Sequence, residues 1–338
     1  MSARPRVLIL RALGLGDFLT GVPAYRALRA ARPECEVVLA APAALAPLIP
    51  LTGAVDRLLP TGELRPVPWS GPPPVIAADL HGNGPASHDL VRALGAPVTM
   101  MYASAADPRV AGPRWCDDEH EVHRWCRLLT WWGTPADPHA LRLATPPDEP
   151  PARGVVVVHP GAASGSRRWP ADRFAVVART LAASGATVVI TGTTVERALA
   201  LRIADAAGLG HGAVLAGRTG LARLAALVAA AALVISNDTG VAHLAVAYGT
   251  PSVTLFGPVS PRLWGPPAGS RRHQALWLGY GGRPGDAHAD QVDPRLLRIE
   301  VRDVLAAVHG VRPAVLDGAG RPTCSAGKKN PPAGGYPT

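Results

Sequence analysis

Several short stretches of this 338-residue chain place charged or hydroxylated side chains beside glycine just after apolar runs. At such points a carboxylate, a guanidinium or a free backbone N–H can act on a ligand. In RALGLGDF (11–18), Asp17 stands where a helix begins. A carboxylate there could take a proton from a hydroxyl, and it would equally suit the first turn of a helix, whose dipole favours an acid. In HPGAASGSRRWP (159–170), Arg167 and Arg168 precede a Trp-Pro helix start. Paired guanidiniums beside free N–H groups suit a diphosphate, although two solvated surface arginines fit the same pattern. In TGTTVERA (191–198), Glu196 could accept from a ribose diol, while Thr193 and Glu196 also spell a capping box.

The stretch SNDTGVAHLA (236–245) offers most. Gly240 permits close backbone approach, and the N–H groups of Thr239, Gly240 and Val241 would face a phosphate. Asp238 would be repelled by that phosphate and should point at a neutral hydroxylated part of the ligand. Ser, Asn and Asp here supply more helix caps than one helix needs. The loop FGPVSPRLWGP (256–266) reads equally as a binding loop or a rigid connection.

Two other patterns carry less. Gly14 and Gly16 resemble a dinucleotide-binding fingerprint, but its third glycine position is Leu19, and the second strand ends in Leu39-Ala40-Ala41 without an acid for a ribose. Cys116, His120, His123 and Cys126 lie close in sequence, yet on one helix they project along one side and do not surround a tetrahedral ion. No metal is expected.

The elements that must position these loops alternate. Short apolar runs at 7–10, 36–40 and 74–78 read as strands, with helical spacing from Phe18 to Leu28 and over 119–131. The proline-rich ATPPDEPPAR (144–153) reads as a linker. Beyond it strands at 154–159, 187–191, 213–215, 233–236 and 252–256 alternate with helices at 171–183, 195–207, 221–231 and 241–248. This predicts an α/β protein of parallel sheets covered on both faces. The expected division is residues 1–148, residues 149–310 and a Gly- and Pro-rich disordered tail at 311–338.

A formal net charge of +9 favours an anionic partner. The basic residues are almost all arginine, with lysine only at 328 and 329, and they form no stripe interleaved with aromatics, which argues against nucleic acid. Four cysteines without a CxxC pair fit reduced thiols in a cytoplasmic protein. Arg11 and Asp17 break the leading apolar segment, and no other run reaches the length of a membrane span.

Taken in order, ILRALGLGDFLTGVPAYRALR (9–29), ADLHGN (78–83), HEVHRWCRLL (120–129), HPGAASGSRRWPADRF (159–174), TGTTVERAL (191–199) and SNDTGVAHLAVAYGTPSVTLFGP (236–258) resemble glycosyltransferase family 9, the ADP-heptose:lipopolysaccharide heptosyltransferases. The resemblance implies a GT-B fold of two Rossmann-like parallel-sheet domains facing across a cleft, with the acceptor on the N-terminal domain and the sugar nucleotide on the C-terminal one. It implies an inverting, metal-independent transfer from an ADP-sugar co-substrate, heptose above all, to an anionic glycan or glycolipid, with no other cofactor. Peripheral contact with the inner face of the membrane would fit the charge.

On this resemblance Asp17 corresponds to the general base and Asp238 to the sugar contact. Thr239, Gly240 and His243 fall on the phosphate side together with Arg167 and Arg168, and Glu196 falls at the nucleotide ribose. Gly16, Asp79, His81 and Asn83 fall on the acceptor side. Arg167 occupies a place where the family usually has lysine. Three alternatives stay open: the same fold serving another sugar nucleotide for an envelope glycan or secondary metabolite, an NAD-dependent oxidoreductase, and a non-catalytic nucleotide-binding module.

Overall fold

The computed structural model describes residues 4–108, 110–279, 285–312 and 315. Apart from residues 311, 312 and 315, the tail expected to be disordered lies outside the described residues. The strands are β1 (Arg6–Leu10), β2 (Glu36–Ala41), β3 (Arg57–Pro60), β4 (Ile76–Asp79), β5 (Val98–Met100), β6 (Val156–His159), β7 (Val188–Ile190), β8 (Leu233–Asn237), β9 (Ser252–Leu255) and β10 (His273–Leu276). In the N-terminal half the helices are α1 (Leu15–Thr20), α2 (Val22–Ala31), α3 (Pro85–Arg92) and α4 (Glu121–Trp131). The C-terminal half carries α5 (Ala171–Ala183), α6 (Arg197–Ala207), α7 (Leu221–Ala230), α8 (Gly240–Tyr248), α9 (Pro261–Trp264), α10 (Pro294–Leu297) and α11 (Val301–Val311).

The strands form two five-stranded sheets, ordered β3-β2-β1-β4-β5 and β10-β9-β8-β6-β7. Every pairing within them is parallel. Alternation along the strands explains how both faces are covered. In β1, Val7 and Ile9 enter one apolar cluster and Leu8 and Leu10 another. In β6, Val157 enters the first of these clusters, while Val156 and Val158 pack with Phe174, Val177 and Leu181 of α5. Such β-branched runs, buried on both sides, are the mark of parallel sheets. Helix α6 ends at Gly208 and α8 at Gly249, both with left-handed φ near 70°, the conformation glycine adopts without cost.

One expected strand is corrected. Residues 213–215 form only an isolated bridge, Ile190 with Val214, after a 3₁₀ turn at His211–Ala213. The run is too short, and too close to glycine, to hold a ladder.

The cluster containing Val7 and Ile9 also contains Val157, Leu227, Val234 and Leu244, so apolar packing is continuous between the two halves. Residues 144–153 form neither helix nor strand. Their flanks are tied to both halves, with Ala144 N donating to Leu51 O at 2.9 Å and Gly154 N to Ala230 O at 2.9 Å. The seam closest to the strand ends is where α1 meets α8. A Cβ built on Gly240 would lie 2.7 Å from Leu15 Cβ, so the two helix starts touch only because residue 240 has no side chain. Among the described residues no helix is long and apolar enough to cross a membrane.

Candidate active site

The carboxyl ends of both sheets face one another, and the loops that leave them enclose a cleft of about 720 Å³. Its N-terminal wall is Gly14 to Asp17, and its C-terminal wall carries Arg167, Arg168, Glu196, Asp238, Thr239, Gly240 and His243. Ligands of parallel sheets bind beyond these strand ends. The fold therefore brings together residues that the sequence holds more than two hundred positions apart.

Asp17 lies in the first turn of α1, whose N-cap Gly14 has no side chain to bond. Its side chain keeps 28 % of its surface exposed, toward the cleft. Burial pushes its pKa up, Arg11 pulls it down and Glu121 pushes it up again, for a net rise. The rise makes this carboxylate a stronger base than an ordinary aspartate, as suits a group that receives a proton.

Beneath it lies a network that sequence reading missed. Arg11, fully buried, donates from Nη2 to Glu121 Oε1 and to Thr20 Oγ1, both at 3.0 Å, from Nε to the backbone oxygen of Asp17 and from Nη1 to that of Leu80. The same Nη2 lies 3.6 Å from Asp17 Oδ1. Glu121 further accepts from Trp125 Nε1 at 2.8 Å and from Arg124 Nε at 3.0 Å. Burial raises the Glu121 pKa, but Arg11 and Arg124 outweigh it and hold the carboxyl below its ordinary range. In sequence Arg11 reads only as a charge interrupting an apolar run; a buried arginine needs a carboxylate, and that requirement was the available signal.

On the opposite wall, Asn237 organises the loops. Its side chain accepts from Trp169 N at 3.1 Å and donates to Pro160 O at 2.8 Å, joining the ends of β6 and β8 to the start of α5. The loop carrying Arg167 is braced from outside: Ser166 N donates to Ala289 O at 2.9 Å, and Gly165 sits so tightly on Asp290 that a Cβ would meet its carbonyl. Arg167 Nη1 lies 3.9 Å from Asp238 Oδ2, and its buried Nε has no protein partner. Arg168 is tied back to Ala162 O from Nε and Nη2, at 3.0 and 2.8 Å.

The surplus of cap residues before α8 resolves clearly. Thr239 is the N-cap, yet its side chain makes no capping bond and its Oγ1 is buried without a partner, as is Ser236 Oγ. Asp238 is almost fully enclosed, and burial pushes its pKa up to about 6 against the pull of Arg167. Asp238 and Thr239, which line the cleft at this helix start, thus hold unused hydrogen-bonding capacity, which is costly unless a ligand completes it.

Other expected residues fall less simply. Glu196 forms the capping geometry, its Oε2 accepting from Thr193 N at 2.7 Å and from Thr193 Oγ1 at 2.9 Å, and its Oε1 covers Gly161 within the cleft. The bonds of the capping reading are thus formed, and the residue also lines the cleft. His243 lines the cleft at the start of α8; burial first, and His120 beside it, push its pKa down to about 4, so it lies there as a neutral ring between Gly16 and Trp264. Gly240 lines the cleft as expected, but its missing side chain serves Leu15.

Gly16 lines the cleft directly. Asp79 is corrected as an acceptor contact, because it is fully buried, with Oδ1 accepting from His81 N at 2.9 Å. Its role is to hold the loop that bears His81 and Asn83, and these two are partly exposed. His120, one of the four residues weighed as a metal set, spends both ring nitrogens: Nδ1 accepts from Val122 N at 3.2 Å and Nε2 bonds Gly265 O at 3.0 Å. His159, Thr193, Trp264 and His288 also line the cleft and were not anticipated as site residues.

Two parallel-sheet Rossmann-like units with their strand ends facing across such a cleft define the GT-B class of fold. Residues 116–286 match the family model described as glycosyltransferase family 9 (heptosyltransferase), half of the chain. The chain belongs to glycosyltransferase family 9. It is 33 % identical over 164 residues to lipopolysaccharide heptosyltransferase 2 of Salmonella typhimurium, an alignment covering 47 % of either chain. The chain thus spans about half the length of the curated relatives it matches. Its fold matches the structure of Escherichia coli ADP-heptose lipopolysaccharide heptosyltransferase II with a TM-score of 0.72 and 23 % identity, covering 90 % of this chain and 98 % of that one. An E. coli heptosyltransferase solved with ADP-2-deoxy-2-fluoro heptose matches with a TM-score of 0.66 and 20 % identity, over 90 % of this chain and 99 % of that one.

Proposed function

We propose that this protein transfers a sugar, with heptose the favoured candidate, from an ADP-sugar to a hydroxyl of an anionic glycan or glycolipid, with inversion and without a metal. The observation that carries the reading is the pairing across one cleft of a partly exposed carboxylate, Asp17, with a donor wall of Arg167, Asp238 and Thr239 in which Arg167 Nε and Thr239 Oγ1 are buried without protein partners. Family membership and the heptosyltransferase relatives support it.

The chemistry balances as a single displacement. Asp17 takes the proton of the acceptor hydroxyl as its oxygen bonds to the anomeric carbon. The bond from that carbon to the diphosphate oxygen breaks, and its electron pair leaves with ADP. Arg167, Arg168 and the N-terminus of α8 neutralise the charge that develops on the diphosphate, which is the work a metal would otherwise do. Asp238, next to Arg167 but short of hydrogen-bond distance, is free to accept from sugar hydroxyls. Gly16, His81 and Asn83 would border the acceptor, Glu196 would meet the nucleotide ribose, and the net positive charge would favour an anionic acceptor at the inner membrane face.

A donor screen tests this reading. Incubating the protein with ADP-heptose, other ADP-sugars, UDP-sugars and a truncated lipopolysaccharide acceptor should release ADP from ADP-heptose, with matching mass gain on the acceptor. Release from a UDP-sugar alone would shift the reading to another donor. Tight binding of NADH with no nucleotide release from any sugar donor would overturn it in favour of an oxidoreductase.

A further inference from the structure

Arg11 is hydrogen-bonded to the backbone oxygens of Asp17 and of Leu80, but its shortest charged contact is with Glu121 rather than with Asp17, 3.0 Å against 3.6 Å. Glu121 comes from α4, 110 residues away in sequence, and is itself held by Arg124 and Trp125. We propose that Arg11 and Glu121 form a buried positioning pair for Asp17, in which Arg11 fixes the loop while Glu121 absorbs its charge and leaves the Asp17 carboxylate free to accept a proton.

The physical need is plain. A guanidinium beside a carboxylate, unshared, stabilises the anion and makes it a poor base. Without any guanidinium, burial would push the Asp17 pKa further up. Arg11 and Arg124 both hold Glu121 by short bonds, while Asp17 is left with only the longer 3.6 Å contact to Arg11. The Arg11 guanidinium also lies 4.7 Å from the centre of the Trp125 ring, so the pair is packed as well as bonded and cannot swing away.

The other groups facing Asp17 are Tyr25 from α2 and, lining the same cleft, Arg167, Arg168, His159, Glu196, Asp238 and His243. None of these is itself substituted when the pair is changed, but Tyr25 feels Arg11, and His243 feels both Arg11 and Glu121, so the Asp17 titration is read at its own carboxyl. This inference rests on Asp17 being the base, and its test is independent of that reading.

Asp17 can be titrated directly by carboxyl ¹³C NMR of aspartate-labelled full-length protein, its resonance identified by loss in Asp17→Asn. Glu121→Gln should move the Asp17 titration down by about one pH unit, and Arg11→Gln should move it up by about as much. The double variant should return close to the wild-type midpoint. With ADP-heptose as donor, the acid limb of kcat/KM should move in the same directions. A purely structural pair would lower activity in every variant with no opposed shifts and no cancellation, and that result would overturn the proposal. Should Arg11→Gln lose its near-ultraviolet circular dichroism, Glu121→Gln decides alone, and an unmoved Asp17 midpoint there defeats the inference. Normal turnover in Asp17→Asn would instead remove the reading beneath it while leaving the titration result standing.

Discussion

Asp17→Asn is expected to lower turnover by roughly 100-fold to 10,000-fold while ADP affinity stays within about twofold of wild type. The substitution is nearly isosteric, so the bonds of the loop survive: Arg11 binds the Asp17 backbone oxygen, and Thr20 Oγ1 donates to that same oxygen at 2.9 Å. What would be lost is the one carboxylate that the described residues of the N-terminal wall present to the cleft. ADP is expected to meet the C-terminal wall, so its binding should not register the change. Steady-state kinetics together with calorimetric titration of ADP separate the two quantities. Turnover near wild type would mean that some other group takes the proton.

The second large effect concerns Arg167. Arg167→Ala should weaken ADP binding by about 10-fold to 100-fold, the loss expected when one or two charge-assisted hydrogen bonds worth about 1.5–3 kcal/mol disappear. The buried, unpartnered Nε and the 3.9 Å separation from Asp238 leave the guanidinium with donors for a diphosphate. The change also strips Asp238 of the cation that offsets its burial, so Asp238 should protonate at higher pH and sugar binding should weaken further near neutrality. Arg167→Lys should recover much of the affinity, because a point charge serves a diphosphate in the family's usual arrangement. Unchanged ADP affinity in Arg167→Ala, measured by calorimetry, would place the diphosphate elsewhere.

The loops of this cleft were legible because their chemistry is local. Arg167, Asp238 and Thr239 each sit at a strand end next to glycine or a helix start, and the order of the loops did the rest. The surplus of caps before α8 was the sharpest clue, since the structure leaves Thr239 and Ser236 without partners. The strands were legible for a similar reason, because alternating β-branched residues buried on both faces leave an unbroken apolar run.

What escaped was tertiary. The bond between Arg11 and Glu121 spans 110 residues, and nothing near either one announces the other. Asp79 and His243 looked available because each lies at a loop or helix start, but burial is set by what packs from elsewhere, and it removed the first from the surface and the charge from the second. Gly240 read as room for a phosphate, while the space over its Cα belongs to Leu15 of the opposite unit.

The proposed single displacement, in which Asp17 on one wall deprotonates an acceptor that attacks a sugar held by the other, would fix the stereochemistry of transfer. The anomeric configuration of the product can be read by NMR from the one-bond C1–H1 coupling after transfer from ADP-heptose of known configuration. Inversion is the expected outcome. Retention would require a covalent or front-face route, in which Asp17 has no part as the base that activates the acceptor.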